Sequence, residues 1–253
     1  MYFDLQKASM LKRISARILD MILVSIIATG FGLLVSTVIG YDAQYEKVNN
    51  MIASYQTQYG ISDDITEEQY NMLTPEERAR YDAADQAMAE DKELAKAYAQ
   101  TINMTLIILT IAFLLAFAVT DFAIPMWLKQ GQTVGKKVFG ICLMQTDHTK
   151  LRTSSLLIRT FLGRYTIETM VPVLICIMIF FGFLGLAGTI TIVLLLLVQI
   201  ILLIKTETNS VIHDVLAQTV AVDEKSQKIF ENQNEIKEFK KNIEQTTTEK
   251  GFV

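Results

Sequence analysis

The chain is poor in the residues that punctuate or staple a fold: 253 residues hold three prolines, two cysteines and two histidines. Two cysteines cannot build a disulfide framework, and they fall in different settings, Cys142 in a basic loop and Cys176 inside an apolar run. So few His and Cys leave no metal-ligand spacing, and Ser nucleophile motifs are absent, so neither a metal, a cofactor nor an enzyme is expected. Charge is missing in a more telling way. Residues 169–204 contain no Asp, Glu, Lys or Arg, whereas 205–253 contain 16 of them. The chain is 51% hydrophobic, more than a soluble domain of this length needs, and the segregation of that apolar content excludes a soluble enzyme of ordinary composition. The net charge of −4 averages over compartments, and no basic tract stands out. Nucleic acid is therefore not an expected partner.

Three apolar blocks are long enough to enter a bilayer. Ile18 to Gly40 carries one charge, Asp20; Ile102 to Leu128 carries one, Asp121; Thr169 to Ile204 carries none. About 20 residues cross the hydrocarbon core, so the third block reads as two helices reversing near Gly182 to Gly188. The expected architecture is all-α: an integral membrane protein with four transmembrane helices, roughly 15–40, 102–128, 166–183 and 187–204, in contact with the lipid bilayer.

Loop charges set the expected orientation. Residues 1–17 hold Lys7, Lys12, Arg13 and Arg17 against Asp4, and 129–164 hold seven bases against Asp147 alone. Both belong in the cytoplasm by the positive-inside rule. The 41–100 loop, with 13 acidic and 5 basic residues, fits the outside, and four spans return the C-terminus to the cytoplasm. A cleaved signal peptide is the rival reading of Lys12 to Gly40; the length of the run and the interruption by Asp20 oppose it.

The expected organisation is 1–40 for the cytoplasmic N-terminus and helix 1, and 41–101 for an extracytoplasmic helical hairpin. Residues 102–128 form helix 2, 129–165 a basic cytoplasmic loop with an interfacial helix, 166–204 helices 3 and 4, and 205–253 a cytoplasmic C-terminal segment and tail. In the hairpin, Tyr41, Tyr45, Val48, Ile52, Tyr55 and Tyr59 recur at spacings of 4, 3, 4, 3 and 4, one stripe of a helix that Gly60 can end. Thr74-Pro75-Glu76-Glu77 supplies the cap, first-turn Pro and acids of a second helix, expected to run unbroken into helix 2. The hairpin is a spacer or a ligand-binding module. Residues 223–253 read as a solvated helix and a disordered tail.

The costly residues concentrate near one leaflet. Arg13, Arg17 and Asp20 are spaced i, i+4 and i+7, one stripe on span 1, and a carboxylate there needs a partner; Arg13 and Asp20 are expected to form one electrostatic unit, with Asp214 joining it. Asp121, Glu168 and His213-Asp214 lie near the cytoplasmic ends of the other spans. Such a cluster suits a cation or proton vestibule, or an ion-pair network that only fixes helix register. On the opposite face of span 1, Ser25, Thr29, Gly32, Ser36 and Gly40 form a small-residue stripe that should admit a close neighbour.

Gly131-Gln132-Thr133-Val134-Gly135-Lys136 invites a nucleotide reading and fails it. A P-loop needs four residues between its glycines and Ser or Thr after its Lys; here there are three, and Lys137 follows. Downstream, Ser154 or Ser155 can cap a short helix through Arg164, with Leu157 and Phe161 on an apolar side and Arg159 and Arg164 on a basic one. That pattern suits a helix lying on the cytoplasmic leaflet.

Taken in order, Lys12-Arg13-Ile14-Ser15-Ala16-Arg17-Ile18-Leu19-Asp20, then Gly131-Gln132-Thr133-Val134-Gly135-Lys136 with Gly140, then Arg159, then His213-Asp214 through Val222 resemble the successive signatures of the RDD family of bacterial membrane proteins. Arg13 matches the family Arg, Asp20 the first Asp and Asp214 the second; Arg17, Asp121, Glu168 and His213 stand as supporting residues. The 41–100 segment is longer than the family's usual connection. The resemblance implies a multi-pass protein of the bacterial cytoplasmic membrane, from a family whose function is mostly unassigned, with transport, including sodium/proton exchange, proposed for some members. Two functions follow. In one, Asp20 and Asp214 alternate between proton and monovalent cation, and a homodimer supplies the pathway that four spans are few to build. In the other, the chain is an accessory subunit whose hairpin or tail docks a membrane protein partner.

Overall fold

The computed structural model describes residues 5–62, 65–128 and 130–250. Asp4, Asp63, Asp64 and Lys129, counted above among the loop charges, and residues 251–253 of the tail lie outside them. Among the described residues, four helices are long and apolar enough to cross a membrane: α1 (Met10–Ile39), α5 (Lys92–Trp127), α7 (Thr153–Phe180) and α8 (Gly185–Lys205). Between α7 and α8 the chain reverses through Gly182 and Gly185, both in the left-handed region at φ 77° and 44°, which costs glycine little.

Two compact units divide the chain: Thr29–Ala112 forms one, and the segments before and after it form the other. In the Thr29–Ala112 unit, α2 (Tyr41–Tyr59) ends where Gly60 takes φ 61° and bonds back to Gln56 O. A short helix α3 (Glu67–Met72) and then α4 (Pro75–Glu90) follow, each opened by a capping box, Thr66 with Gln69 and Thr74 with Glu77. Val48, Leu94 and Ala97 form the unit's core, with Met51, Ile52, Tyr55 and Met88 packed on it. The expected unbroken run from α4 into helix 2 does not occur. Asp91 leaves the helical region (φ −74°, ψ 105°), and its carboxylate accepts from the N–H groups of Glu93 and Leu94 at 2.7 and 3.2 Å to start α5 afresh. Tyr55 donates to the same carboxylate at 2.9 Å. A cap satisfies the orphan N–H groups that a continuous helix would have had no need to expose.

The other unit carries the buried polar groups. Its helix α1 buries Ala16, Asp20, Val24 and Ala28, a four-residue repeat in which Val24 and Ala28 meet Ala116 and Phe117 of α5. The small stripe is not the packed face expected: Ser25 and Thr29 are exposed. At Gly32, within the Thr29–Ala112 unit, a Cβ would stand 3.8 Å from side chains of α5 (Ile108 and Ala112), ordinary van der Waals contact.

A two-stranded antiparallel sheet, unforeseen in the sequence, pairs β1 (Ile141–Gln145) with β2 (Thr219–Asp223), Leu143 opposite Ala221. One face (Ile141, Leu143, Ala221) packs on Ala8 and Ala16; the other (Cys142, Met144, Val220, Val222) is covered by Leu5 and Ile229. Burial on both faces explains why neither strand alternates apolar with polar residues. The sheet ties the loop before α7 to the segment after α8. Beyond it, Phe230 bonds its backbone to His148 and Lys150, and α10 (Gln233–Lys250) follows.

The interfacial helix is also corrected. Residues 153–164 are the first turns of α7 itself, and Arg159 and Arg164 are 3% exposed each rather than forming a basic surface. From Ile158 to Met170 the helix is π-wound, with i→i+5 bonds that bring residues five apart onto about the same face. In an α-helix five residues would turn by ~140°. Winding of this kind aims both arginines inward.

Candidate functional site

Asp20 does not pair with Arg13. Its carboxylate is clasped by the 130–140 loop: Thr133 Oγ1 donates to Oδ2 at 2.5 Å and the Gly135 N–H donates to Oδ1 at 2.8 Å. Thr133 is also the N-cap of the short helix α6 (Val134–Val138). Gly135 is required by proximity, because a Cβ there would overlap Ala16 O and stand 2.8 Å from Asp20 Oδ1. Gln132 completes the clasp from behind, its Nε2 donating to Ile141 O at 3.0 Å. Gly131 and Gly140 both hold φ 63°. The glycines that suggested a phosphate cradle thus bend this loop onto α1.

Arg13 reaches Asp214 instead, at 3.5 Å, and the Thr208 carbonyl at 3.4 Å. Asp214 sits on α9 (Ile212–Leu216), 1% exposed, and is held chiefly by Arg159, whose Nη1 pairs with Oδ1. The same Nη1 donates to Thr219 Oγ1 at 2.6 Å. Burial alone would raise the Asp214 pKa; Arg159, with Arg13 behind it, outweighs that and holds the carboxylate below its usual range. His213 bridges the cluster. Nδ1 lies 2.7 Å from both Glu168 oxygens and Nε2 lies 3.0 Å from Arg159 Nη2. Because Arg can only donate, Nε2 must accept, which places the proton on Nδ1, facing Glu168. Burial, and then the Arg159 charge, holds His213 well below its ordinary pKa, consistent with this neutral tautomer. Gly163 lets α9 approach: a Cβ there would stand 2.7 Å from His213 Cα.

Asp121 belongs to a second pair, with Arg164. It lies in the π-wound stretch Ala118–Ala123 of α5, which packs against the π-wound stretch of α7 through Phe122 and Phe161, ring centroids 5.6 Å apart. Pro125 explains part of this. Lacking an N–H, it cannot bond to the carbonyl of Asp121 four residues back. That freed carbonyl accepts from Thr160 Oγ1 at 2.8 Å.

These groups enclose a cavity of about 480 Å³. Arg13, Arg17, Lys136, Arg159, Arg164, Asp20, Glu168, His213 and Asp214 line it, together with Met10, Ile14, Ile18, Ile200 and Leu203. Lys136 Nζ, 9% exposed as a residue, has the Thr133 hydroxyl at 3.4 Å. Desolvation first, then the Arg159 charge, lowers its pKa to about 7. Of the residues singled out in the sequence, Arg13 and Asp214 meet directly. Asp20 meets the loop motif, Glu168 meets His213, and Asp121 stands apart with Arg164. Arg159 and Lys136 stood in the sequence motifs without their burial being foreseen, and the pairing of Arg164 with Asp121 was missed; the signal for both arginines was that bases flank spans on which unpaired acids already stood.

The order of these elements along the chain, with Arg13 and Asp20 on the first span and Asp214 after the fourth, is also that of a known family: the RDD family model matches residues 7–218. The chain belongs to the RDD family. No curated protein and no solved structure matches it. As an RDD protein with four apolar spans it is an integral, multi-pass membrane protein, and the exposed Ile22, Ile26, Leu194 and Ile201 of α1 and α8 face lipid.

Proposed function

We propose that this RDD protein is transport-related and that the polar cavity is the vestibule in which its solute sits. One observation carries the reading: a cavity of about 480 Å³, the size of a small-molecule site, is ringed by nine ionisable side chains among membrane-spanning helices. Intramembrane ionisable groups are costly, and where they surround free volume a pathway or binding role is the default hypothesis. The loop charges support a cytoplasmic-membrane location with both termini and the 130–152 segment inside.

Monovalent cation/proton exchange is the most concrete form of this reading, and the geometry bears on its carriers. Asp20 is engaged by Thr133 and Gly135, and Asp214 by Arg159, Arg13 and Thr219. Glu168, facing the cavity beside the His213 Nδ1 proton, is the better placed proton carrier. Purified protein in sealed liposomes, carrying a pH-sensitive dye and given sodium or potassium gradients, tests this form. Exchange predicts cation-dependent proton flux that Glu168→Gln abolishes in a folded chain. Absence of flux at every gradient would remove exchange. An accessory subunit would likewise show no flux, and would lose a co-purifying membrane partner when 43–97 is replaced by a short linker.

A further inference from the structure

Two of the bases around the cavity stand outside its ion pairs. Arg13 and Arg159 share Asp214, and Arg164 holds Asp121 behind the wall. Asp20 is taken by the loop and Glu168 by neutral His213. Among the described residues neither Arg17 nor Lys136 forms an ion pair; Glu168 and Asp20 act on Arg17, and Asp20 on Lys136, only from beyond ion-pair distance. Desolvation lowers the Lys136 pKa to about 7, and an anion placed between the two bases would hold Lys136 in its charged form and give Arg17 a direct partner.

The apolar part of the lining says what the anion is attached to. Ile14 and Ile18 of α1 and Ile200 of α8 line the cavity and are 51, 55 and 51% exposed. Both helices span the membrane, so the mouth between them opens toward hydrocarbon. A volume of about 480 Å³ is on the order of fifteen times the ~30 Å³ of one water, far more than a bare ion fills.

We infer that the cavity binds a phosphate-bearing anion whose head lies between Arg17 and Lys136 and whose apolar tail lies along Ile14, Ile18 and Ile200. An anionic phospholipid of the same leaflet is the fitting source. Arg matches phosphate as a planar two-point donor, and Lys as a point charge. The inference rests on the vestibule reading and names the class of solute the vestibule takes.

The test is a titration of the purified full chain, in neutral detergent, with phosphatidylglycerol, phosphatidylcholine or inorganic phosphate. Native mass spectrometry and melting temperature read the binding. One phosphatidylglycerol per chain is expected, preferred about tenfold or more over phosphatidylcholine, the scale of a single well-placed charge interaction. Lys136→Met and Arg17→Gln should each weaken it by about the same factor. Lys136→Arg should retain it, which separates charge from fold, and Lys237→Gln on the exposed face of α10 should change nothing. Ile14→Trp should weaken the lipid and leave inorganic phosphate untouched. Protection by phosphate alone that depends on Arg17 and Lys136 would confirm the anion site and assign its source to the aqueous phase; protection by the lipid alone assigns it to the bilayer. Equal binding of the two lipids, no binding of any probe, or undiminished binding in folded Lys136→Met overturns the inference. Because the readout is equilibrium binding, it fails separately from flux: selective binding without cation-dependent proton flux removes exchange and keeps the site, and such flux without selective binding keeps exchange and overturns the site.

Discussion

Arg13 pairs with Asp214, 201 positions away, and not with Asp20, seven residues along its own helix. Seven residues of α-helix advance ~10 Å, and Asp20 spends its two oxygens on Thr133 and Gly135. Double-mutant cycles should report this difference. Arg13→Gln with Asp214→Asn should show coupling of about 0.5–3 kcal/mol, whereas Arg13→Gln with Asp20→Asn should be close to additive. Thermal unfolding in detergent measures both, and a large coupling in the second cycle would contradict the pairing described.

The clasp on Asp20 should be sensitive to single methyl groups. Gly135→Ala drives a Cβ into Ala16 O and the Asp20 carboxylate, so α1 and the loop must separate, at a cost of about 1–3 kcal/mol or more. Thr133→Val keeps the shape but removes the hydroxyl that donates to the carboxylate, a loss of about 1.5–3 kcal/mol for a charged partner. Melting temperatures of the two variants test this; a Gly135→Ala protein as stable as the wild type would show that the loop does not seat on α1.

Breaking the Arg159–Asp214 pair should cost more than removing both members. Asp214→Asn leaves a buried guanidinium uncompensated, at about 3–5 kcal/mol, and Arg159→Met in the same chain should recover part of it. Equal loss in the single and double variants, measured by the same unfolding assay, would show that Asp214 acts through other contacts.

Stability should vary with pH at two buried bases. Lys136 titrates at about 7 in the folded chain against 10.5 when free, because of desolvation and then Arg159. Between those values the unfolded chain binds a proton that the folded chain does not, so stability should rise as pH increases from about 7 toward 10.5. His213, held well below 6.5 by burial, acts in the same direction lower down: as pH falls below 6.5 the unfolded chain protonates first and stability drops. Melting temperature as a function of pH checks both. Lys136→Met should flatten the alkaline rise, and an unchanged profile would mean that Lys136 is hydrated.

Topology is testable with single cysteines after removal of Cys142 and Cys176. Thr153 and Asp85 are both exposed. A cysteine at 85 should react with an impermeant thiol reagent in intact cells, and one at 153 only after the membrane is opened. Labelling at 153 in intact cells would reverse the orientation.

Local properties were legible without a structure. Run length and the uncharged stretch 169–204 determined that the chain crosses a membrane four times, because a span must satisfy its backbone within itself and shed charge. The reversal near Gly182 is local too, since it depends on which residue tolerates positive φ. Only the tertiary structure decided which acid meets which base. The pairs that matter join positions 55 apart (Arg159 and Asp214), 113 apart (Asp20 and Thr133) and 201 apart (Arg13 and Asp214), and periodicity along one helix carries no information about them. Arithmetic at 3.6 residues per turn also fails where α7 is π-wound, so Arg159 and Arg164 read as a surface stripe when their winding turns both inward. The two five-residue strands escaped for a related reason: covered on both faces, they show none of the alternation that marks a half-exposed strand, and it took the partner strand, 78 residues away at Leu143 and Ala221, to make either of them visible.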